Sequence, residues 1–277
     1  MQILIDASVI LLAYFFGSVP FGLLIVKLTT GKDIRQVASG RTGGTNAGRA
    51  AGPLAGILTG ILDGLKGAAA VWVAQAAAPT NHWLYILAPL AAILGHNYSI
   101  FIAEHQENGV VRLRGGAGGG PTVGGAIGLW WPSGFIIVPL AALVFVGVGY
   151  ASITTMSIAL ITTAIFAVRY FRGLSPLPDV LYGVFALALL LWALRPNIQA
   201  LIDGRERFHG WRPWQKKRSE APKLEEPITK PVNHAPSASR KKSNPKTDGK
   251  KVSNRKTSNM GHSAPKRAKV AAGKSRS

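Results

Sequence analysis

The connector between the first two apolar runs of the chain, "SGRTGGTNAGRAAG", combines the residue types that bind a phosphate group. Its five glycines allow the backbone to approach a ligand closely. Ser39, Thr45 and Asn46 offer hydroxyl and amide groups. Arg41 and Arg49 offer guanidinium forks that match phosphate oxygens. These residues alone favour either an anion site or a flexible basic loop on the cytoplasmic side of a membrane.

Two further clusters carry the same kind of chemistry. The stretch "RLRGGAGGGPTVGG" places Arg112 and Arg114 before a glycine-rich turn, but it matches neither the P-loop spacing nor the dinucleotide fingerprint. It predicts a loop that cradles phosphate or, alternatively, a helix break. Near the end of the last apolar run, "RPNIQALIDGRERFHG" brings together Arg195, Asn197 and Glu206.

Three ionisable residues within or beside the apolar runs are candidates for chemistry. Asp63 and Lys66 are three residues apart, so they fall on neighbouring turns of one helix and can pair. Such a pair inside a membrane is either functional or a buried structural brace. His96 follows another apolar run, where it can shuttle a proton or serve as a structural hydrogen-bonding residue.

The elements that must position these residues are long and apolar. Hydrophobic residues make up 48% of the chain and the mean hydropathy is +0.21. Because a helix needs roughly 20 mostly apolar residues to cross a bilayer, we expect spans near 3–28, 53–78, 83–103, 134–150, 152–169 and 178–194. A shorter run at 119–131 is ambiguous. Counted as a span, it predicts an all-α membrane protein, a polytopic bundle of about seven transmembrane helices over residues 1–212.

Glycines mark one face of the second predicted span. Gly48, Gly52, Gly56, Gly60 and Gly64 recur every four residues, which on a single helix aligns them in one row. Such a row predicts close packing against another helix rather than chemistry.

Basic charge is concentrated at the C-terminal end. Residues 195–277 hold 22 of the 32 Lys and Arg residues, and the positive-inside rule makes this end cytoplasmic and the N-terminus external. Residues 213–277 are rich in Lys, Ser and Pro and predict a disordered tail. The tail is either simply solvated or in contact with anionic lipid. Nucleic-acid binding is disfavoured because the tail lacks interleaved aromatic residues.

Taken together, six stretches resemble the integral-membrane glycerol-3-phosphate acyltransferases that use acyl phosphate, in order and spacing over about residues 3–208. The stretches are "GSVPFGLLIVKL" (17–28), "DIRQVASGRTGGTNAGRAAG" (33–52), "LDGLKGAAAV" (62–71), "GHNYSIF" (95–101), "GGAGGG" (115–120) and "RPNIQALIDGRE" (195–206). The resemblance implies seven transmembrane helices in the cell (inner) membrane and a cytoplasmic active site. The implied reaction moves an acyl group from acyl phosphate to the 1-hydroxyl of glycerol 3-phosphate, giving lysophosphatidic acid.

From the resemblance and the residue types we expect two sets of site residues. The catalytic set is Ser39, Asn46, Arg49, His96 and Asn197. The substrate- and phosphate-binding set is Arg41, Thr45, Lys66, Arg114, Gly115, Gly116, Gly118, Arg195 and Glu206. Neither a metal nor an organic cofactor is indicated. The chain has no cysteine, no G-x-S-x-G elbow and no H-E-x-x-H motif, which disfavours a metal or serine hydrolase.

The sequence also departs from the family's motifs. Ala38 and Arg41 stand where the first motif usually has Gly and Asn. In the second motif Ala117 and Pro121 replace a lysine and a threonine, and about nine extra residues separate His96 from the turn. We hypothesise that Arg41 supplies the positive charge that Ala117 lacks.

Two other functions remain open on the sequence. One is a degenerate family member that binds anionic lipid or regulates an active enzyme without transferring an acyl group. The other is a small-solute transporter, which is disfavoured because only Asp63 and Lys66 place polar groups along a midplane path.

Overall fold

The structure, a computed structural model, describes residues 1–106 and 109–208, and nearly all of its regular elements are helices. The helices are α1 (Gln2–Ser18), α2 (Phe21–Thr30), α3 (Gly44–Ala51), α4 (Pro53–Ala77), α5 (His82–Asn97), α6 (Gly119–Leu129), α7 (Ser133–Val148), α8 (Ala151–Phe171) and α9 (Leu177–Ile202). An antiparallel hairpin, β1 (Ser99–His105) and β2 (Val111–Arg114), joins α5 to α6. The predicted tail, 213–277, lies outside the described residues.

Among the described residues, four helices are long and apolar enough to cross a membrane, with α1 and α2 taken as one. They are Gln2–Thr30, Pro53–Ala77, Ala151–Phe171 and Leu177–Ile202. Together with the shorter helices α5 and α7 they match the six predicted spans, so the prediction of a mainly helical membrane protein is confirmed. The ambiguous seventh run forms α6, whose 11 residues extend about 16 Å at 1.5 Å per residue.

The predicted ends of two spans are wrong. The last span was expected to end at 194, but α9 continues to Ile202. The third span was expected to reach residue 103, but α5 ends at Asn97 and β1 begins at Ser99. The apolar residues of β1 have a composition that also suits a helix. In the structure their backbone groups form hydrogen bonds with β2 instead of with the next helical turn. The hairpin is therefore an element that the apolar pattern did not reveal.

A break between α1 and α2 creates two backbone acceptors inside the protein. Because Pro20 has no N–H, the helix cannot continue its hydrogen bonding there. The Ser99 hydroxyl donates to the Ser18 carbonyl at 2.5 Å, and Lys66 Nζ donates to the Val19 carbonyl at 2.5 Å. The break thus ties α1 to β1 and to α4.

The glycine row is divided between two helices, which corrects the prediction of one continuous face. Gly52 has a φ of +92° and separates α3 from α4. The two helices then fold against each other, and a Cβ on Gly44 would lie 2.7 Å from the Gly56 carbonyl oxygen. Further along α4, a Cβ on Gly67 would lie 2.0 Å from the Pro121 carbonyl oxygen of α6. Close packing is confirmed, but it involves two different partners of α4.

Two pairs of consecutive helices, α6 with α7 and α8 with α9, each begin and end at the same end of the bundle. α6 begins and α7 ends beside a common cavity, and α8 begins and α9 ends beside it as well. At the other end of α8, Arg169 stacks on Trp130, with its Cζ 4.0 Å from the ring centre. The connectors that carry the predicted motifs therefore gather on one face.

Candidate active site

A cavity of about 860 Å³ opens at the end of the bundle where the polar connectors meet. Four parts of the chain contribute most of its lining. They are the connector at 38–49, the turn and start of α6 at 117–120, the junction of α7 and α8, and the end of α9 with the residues after it at 194–207. We call it the larger cavity. The predicted site residues in its lining are Ser39, Arg41, Thr45, Asn46, Arg49, His96, Asn197 and Glu206.

Asn46 shapes the connector from within. Its amide nitrogen donates to the carbonyl oxygens of Ile34, Val37 and Arg41 at 3.2, 2.9 and 2.8 Å. The side chain is buried, and its amide oxygen has no hydrogen-bond partner among the described residues. Asn46 therefore holds the loop in shape, and its unpaired amide oxygen is buried in the wall of the larger cavity.

Arg41 joins three segments that are distant in sequence. Its guanidinium donates to Gly116 O at 2.8 Å, to Ala193 O at 2.7 Å and twice to Asn197 Oδ1 at 3.1 and 2.9 Å. Burial lowers the pKa of Arg41 from its ordinary value, yet an arginine stays charged in proteins. The hypothesised cation is thus placed next to Ala117, with most of its donors engaged by the protein.

Arg49 lies on α3 with its side chain in the lining of the larger cavity. Burial and the nearby positive charge of Arg207 lower its pKa, while Glu206 acts in the opposite direction. A guanidinium so placed gains by binding an anion, because the anion offsets both the neighbouring positive charge and the lost hydration.

His96 and Asp63 form a buried pair at the wall of the larger cavity. His96 Nδ1 lies 3.5 Å from Asp63 Oδ1, and Lys66 Nζ donates to the same carboxylate oxygen at 2.9 Å. Lys66 is fully buried and also lies 4.8 Å from the centre of the Phe21 ring. It lines neither cavity, so Lys66 touches the site only through Asp63.

The glycine-rich turn packs directly on the His96 segment. Gly116 N donates to His96 O at 2.8 Å, and a Cβ on Gly116 would lie 1.9 Å from His96 Nε2. Thr42 N donates to Gly115 O at 3.3 Å. Gly118, with a φ of +87°, adopts the left-handed conformation that begins α6. The turn is therefore fixed against both α5 and the connector, and only glycine fits at Gly116 without displacing the imidazole.

Several lining residues were missed by sequence reasoning. Ser152 at the start of α8 donates its hydroxyl to Glu206 Oε2 at 2.5 Å, and its N–H donates to Glu206 Oε1 at 3.3 Å. Thr155, Arg205 and Arg207 were missed as well, whereas Asp63, which the sequence had already singled out, also lines the larger cavity. The α8 residues carry no motif, and only their proximity to the end of α9 reveals them.

A second cavity of about 780 Å³ lies on the other side of Arg41 and Asn197. Three of the predicted phosphate-binding residues, Arg114, Gly115 and Arg195, line this second cavity and not the larger one. The structure therefore separates Arg195 from Arg49, although both were expected to hold substrate phosphates. Gly116 and Gly118 contribute to the turn but line neither cavity.

Comparison with known proteins gives consistent matches. The family model for glycerol-3-phosphate acyltransferase matches residues 7–204. The glycerol-3-phosphate acyltransferase of Rubrobacter xylanophilus is 35% identical over 209 residues, which cover 76% of this chain and 98% of that protein. The enzyme of the same name from Thermus thermophilus is 36% identical, with 73% and 94% covered.

Solved structures agree with the sequence matches. The crystal structure of PlsY (YgiH), an integral membrane glycerol 3-phosphate acyltransferase, in its glycerol 3-phosphate form has a TM-score of 0.63 to this chain at 28% identity. The match covers 74% of this chain and 96% of that one. The lysophosphatidic acid form of PlsY has a TM-score of 0.60 at 26% identity, with 73% and 94% covered. On the extent of the family match and the identity to these relatives, this chain belongs to the glycerol-3-phosphate acyltransferase family.

Proposed function

We propose that this chain transfers a fatty acyl group from acyl phosphate to the 1-hydroxyl of glycerol 3-phosphate, producing lysophosphatidic acid. The observation that carries the proposal is the larger cavity, which unites the phosphate-binding connector, the glycine-rich turn and the pair of His96 and Asp63 at one end of a membrane bundle. The glycerol 3-phosphate and lysophosphatidic acid forms of the related PlsY support the acceptor and the product.

The phosphate of glycerol 3-phosphate binds next to Arg49, the cation on α3. Ser39, Thr45 and the amide oxygen of Asn46 orient its hydroxyl groups, since all three residues line the same cavity. The acyl phosphate lies against the turn, where the charge of Arg41 is next to Ala117. Asn197 and Glu206 complete the wall by holding Arg41 and Ser152.

The chemistry needs no covalent enzyme intermediate, because an acyl phosphate is already activated. The 1-hydroxyl oxygen attacks the acyl carbonyl carbon, and the bond from that carbon to the phosphate oxygen breaks. Phosphate leaves with the bonding electron pair. His96 accepts the hydroxyl proton and passes it to the leaving phosphate. Asp63 orients the imidazole, Lys66 holds Asp63, and positioning with charge neutralisation supplies the rest of the rate.

The cavity lies on the cytoplasmic side of the cell (inner) membrane, with the N-terminus external. This topology is supported by the paired helices that leave and return to the cavity and by the basic residues of the connectors. The catalytic domain covers residues 1–212. The basic tail, 213–277, adds attraction to anionic lipid.

The test is an assay of the purified full-length protein for lysophosphatidic acid. With acyl phosphate and glycerol 3-phosphate we expect product that requires both substrates, released with one inorganic phosphate per turnover. A parallel reaction with acyl-CoA identifies the donor. If no product forms while lipid binding persists, the chain is a degenerate family member and the catalytic proposal is overturned.

A further inference from the structure

We infer that the second cavity is a separate binding site for a phosphate group at the membrane surface. The two cavities share a wall formed by Ser39, Arg41 and Asn197. Beyond that wall their linings differ, since the second cavity is bounded by the hairpin strand β2 and the end of α9. The inference concerns this second cavity and does not depend on acyl transfer in the larger one.

The charge of the second cavity is strongly positive. Arg41, Arg112, Arg114 and Arg195 line it, and no Asp or Glu among the described residues belongs to its lining. Glu104 pairs with Arg114, at 2.7 Å from Nε, but lies outside the lining. Among the described residues no acidic side chain forms an ion pair with the other three arginines. Several guanidinium groups without acidic partners around one cavity are suited to an anion with several oxygens.

A buried amide adds an independent indication of a ligand. Asn97 is only 4% exposed, yet neither its amide nitrogen nor its amide oxygen has a hydrogen-bond partner among the described residues. Leaving buried polar atoms unpaired is costly, so such atoms usually meet a ligand or water. Asn97 lines the second cavity, so a buried and unpaired amide borders the place where the ligand would bind.

The end of α9 places this cavity at the level of lipid headgroups. Trp192 is 57% exposed near residue 194, where the last apolar run was predicted to end and where aromatic side chains mark the membrane interface. Arg195 stacks on the indole with its Cζ 3.4 Å from the ring centre, and its Nε donates to the Trp192 carbonyl. The terminal nitrogens of Arg195 have no acceptor among the described residues. They can therefore reach either a lipid phosphate or a free phosphate ion.

The experiment compares two double variants of the full-length protein in phosphatidylcholine nanodiscs. Arg112→Gln with Arg195→Gln removes two cations of the second cavity. Lys27→Gln with Lys32→Gln removes the same charge from residues that line neither cavity. The probes are tail-labelled phosphatidic acid and radiolabelled inorganic phosphate. Arg49→Ala reports any binding in the larger cavity.

We expect the Arg112 and Arg195 double variant to weaken binding of the preferred probe about tenfold. The lysine double variant should change this binding less than about twofold. Arg49→Ala should leave in place the part of the binding that the Arg112 and Arg195 double variant loses. Arg112→Gln alone should weaken binding of the preferred probe about threefold. Because Arg112 is exposed on β2, this single variant tests the inference even if the double variant misfolds. Tighter binding of phosphatidic acid identifies a lipid headgroup as the ligand, and tighter binding of the free ion identifies phosphate.

Equal losses in both double variants would overturn the inference, because the effect would then be general attraction to a positive surface. Binding abolished by Arg49→Ala and unaffected by the Arg112 and Arg195 variants would overturn it too. If the wild type forms no lysophosphatidic acid but shows the expected difference between the variants, the proposed function fails and the second site stands.

Discussion

The two cavities share Arg41 and Asn197 yet provide different chemistry. The larger cavity mixes charges of both signs with hydroxyl groups and holds the buried pair of His96 and Asp63. In the part of the chain that the structure describes, the second cavity has four arginines in its lining, no acidic residue and no histidine. Proton transfer needs a titratable group that is held in position, whereas anion binding needs only fixed cations. The difference therefore supports the proposal that the reaction takes place in the larger cavity and that the second cavity only binds.

The largest effect should follow from the loss of the imidazole in the larger cavity. His96→Asn removes the proposed proton carrier, so we expect lysophosphatidic acid formation to fall by about 10² to 10⁴-fold. Phosphate binding in the second cavity should not change. The initial rate of product formation, measured at saturating substrates, checks this prediction.

His82→Asn at the other end of the same helix is the matched control, since His82 lines neither cavity. A comparable loss of rate in the two variants would mean that His96 contributes to folding of α5 rather than to catalysis.

A smaller effect, on both cavities at once, is expected at their shared wall. Arg41→Ala leaves Gly116 O, Ala193 O and Asn197 Oδ1 without the donors they have now. We expect acyl-phosphate use to fall about 10- to 100-fold, equivalent to roughly 1.4–2.8 kcal/mol. Arg41→Lys should recover only part of this activity, because a lysine keeps the charge but not the planar fork.

Lys32→Ala is the control for charge on the same connector, and we expect it to have little effect because Lys32 is exposed. Equal small effects of Arg41→Ala and Lys32→Ala would contradict both the wall and the hypothesis that Arg41 compensates for Ala117.

The smallest effect is expected on stability, at Ala38, just before the residues of the wall that the two cavities share. Ala38 has a φ of +49°, a left-handed conformation that costs a residue with a Cβ about 1–2 kcal/mol. Ala38→Gly should remove this strain and, after the larger entropy of an unfolded glycine is subtracted, raise the free energy of unfolding by about 0.5–1 kcal/mol. Chemical unfolding of the purified protein in detergent measures it.

Ala50→Gly lies in the right-handed helix α3 and should have the opposite effect. We expect it to lower the free energy of unfolding by about 0.5–1 kcal/mol. If the two changes shift stability in the same direction, the conformation of Ala38 is not a source of strain.

The positions of the apolar helices could be predicted from the sequence because a membrane imposes a length and a composition on each span. The residue types of the connector predicted either a phosphate site or a flexible basic loop, and its position in the lining of the larger cavity supports the proposal of a phosphate site. The hairpin was not predicted, because the apolar residues of β1 were read as the end of the preceding span, although the Asn-Gly pair at 108–109 is typical of a hairpin turn.

Two features of the site depend on distances that no local pattern contains. Ser152 reaches the larger cavity only because Glu206 accepts hydrogen bonds from it across 54 positions of the chain. Arg49 and Arg195 were expected to serve one site, since both lie on the same membrane face. Arg41 and Asn197 stand between them, and this separation follows from side-chain packing rather than from sequence spacing.

The most direct test of the assignment is the affinity for glycerol 3-phosphate, measured by isothermal titration calorimetry without an acyl donor. We expect Arg49→Ala to weaken binding at least about tenfold, because a charge-assisted contact to the phosphate is lost. Arg112→Gln with Arg195→Gln should change the affinity less than about twofold. The reverse pattern, with binding lost in the double variant and kept in Arg49→Ala, would place the substrate in the second cavity and contradict the account.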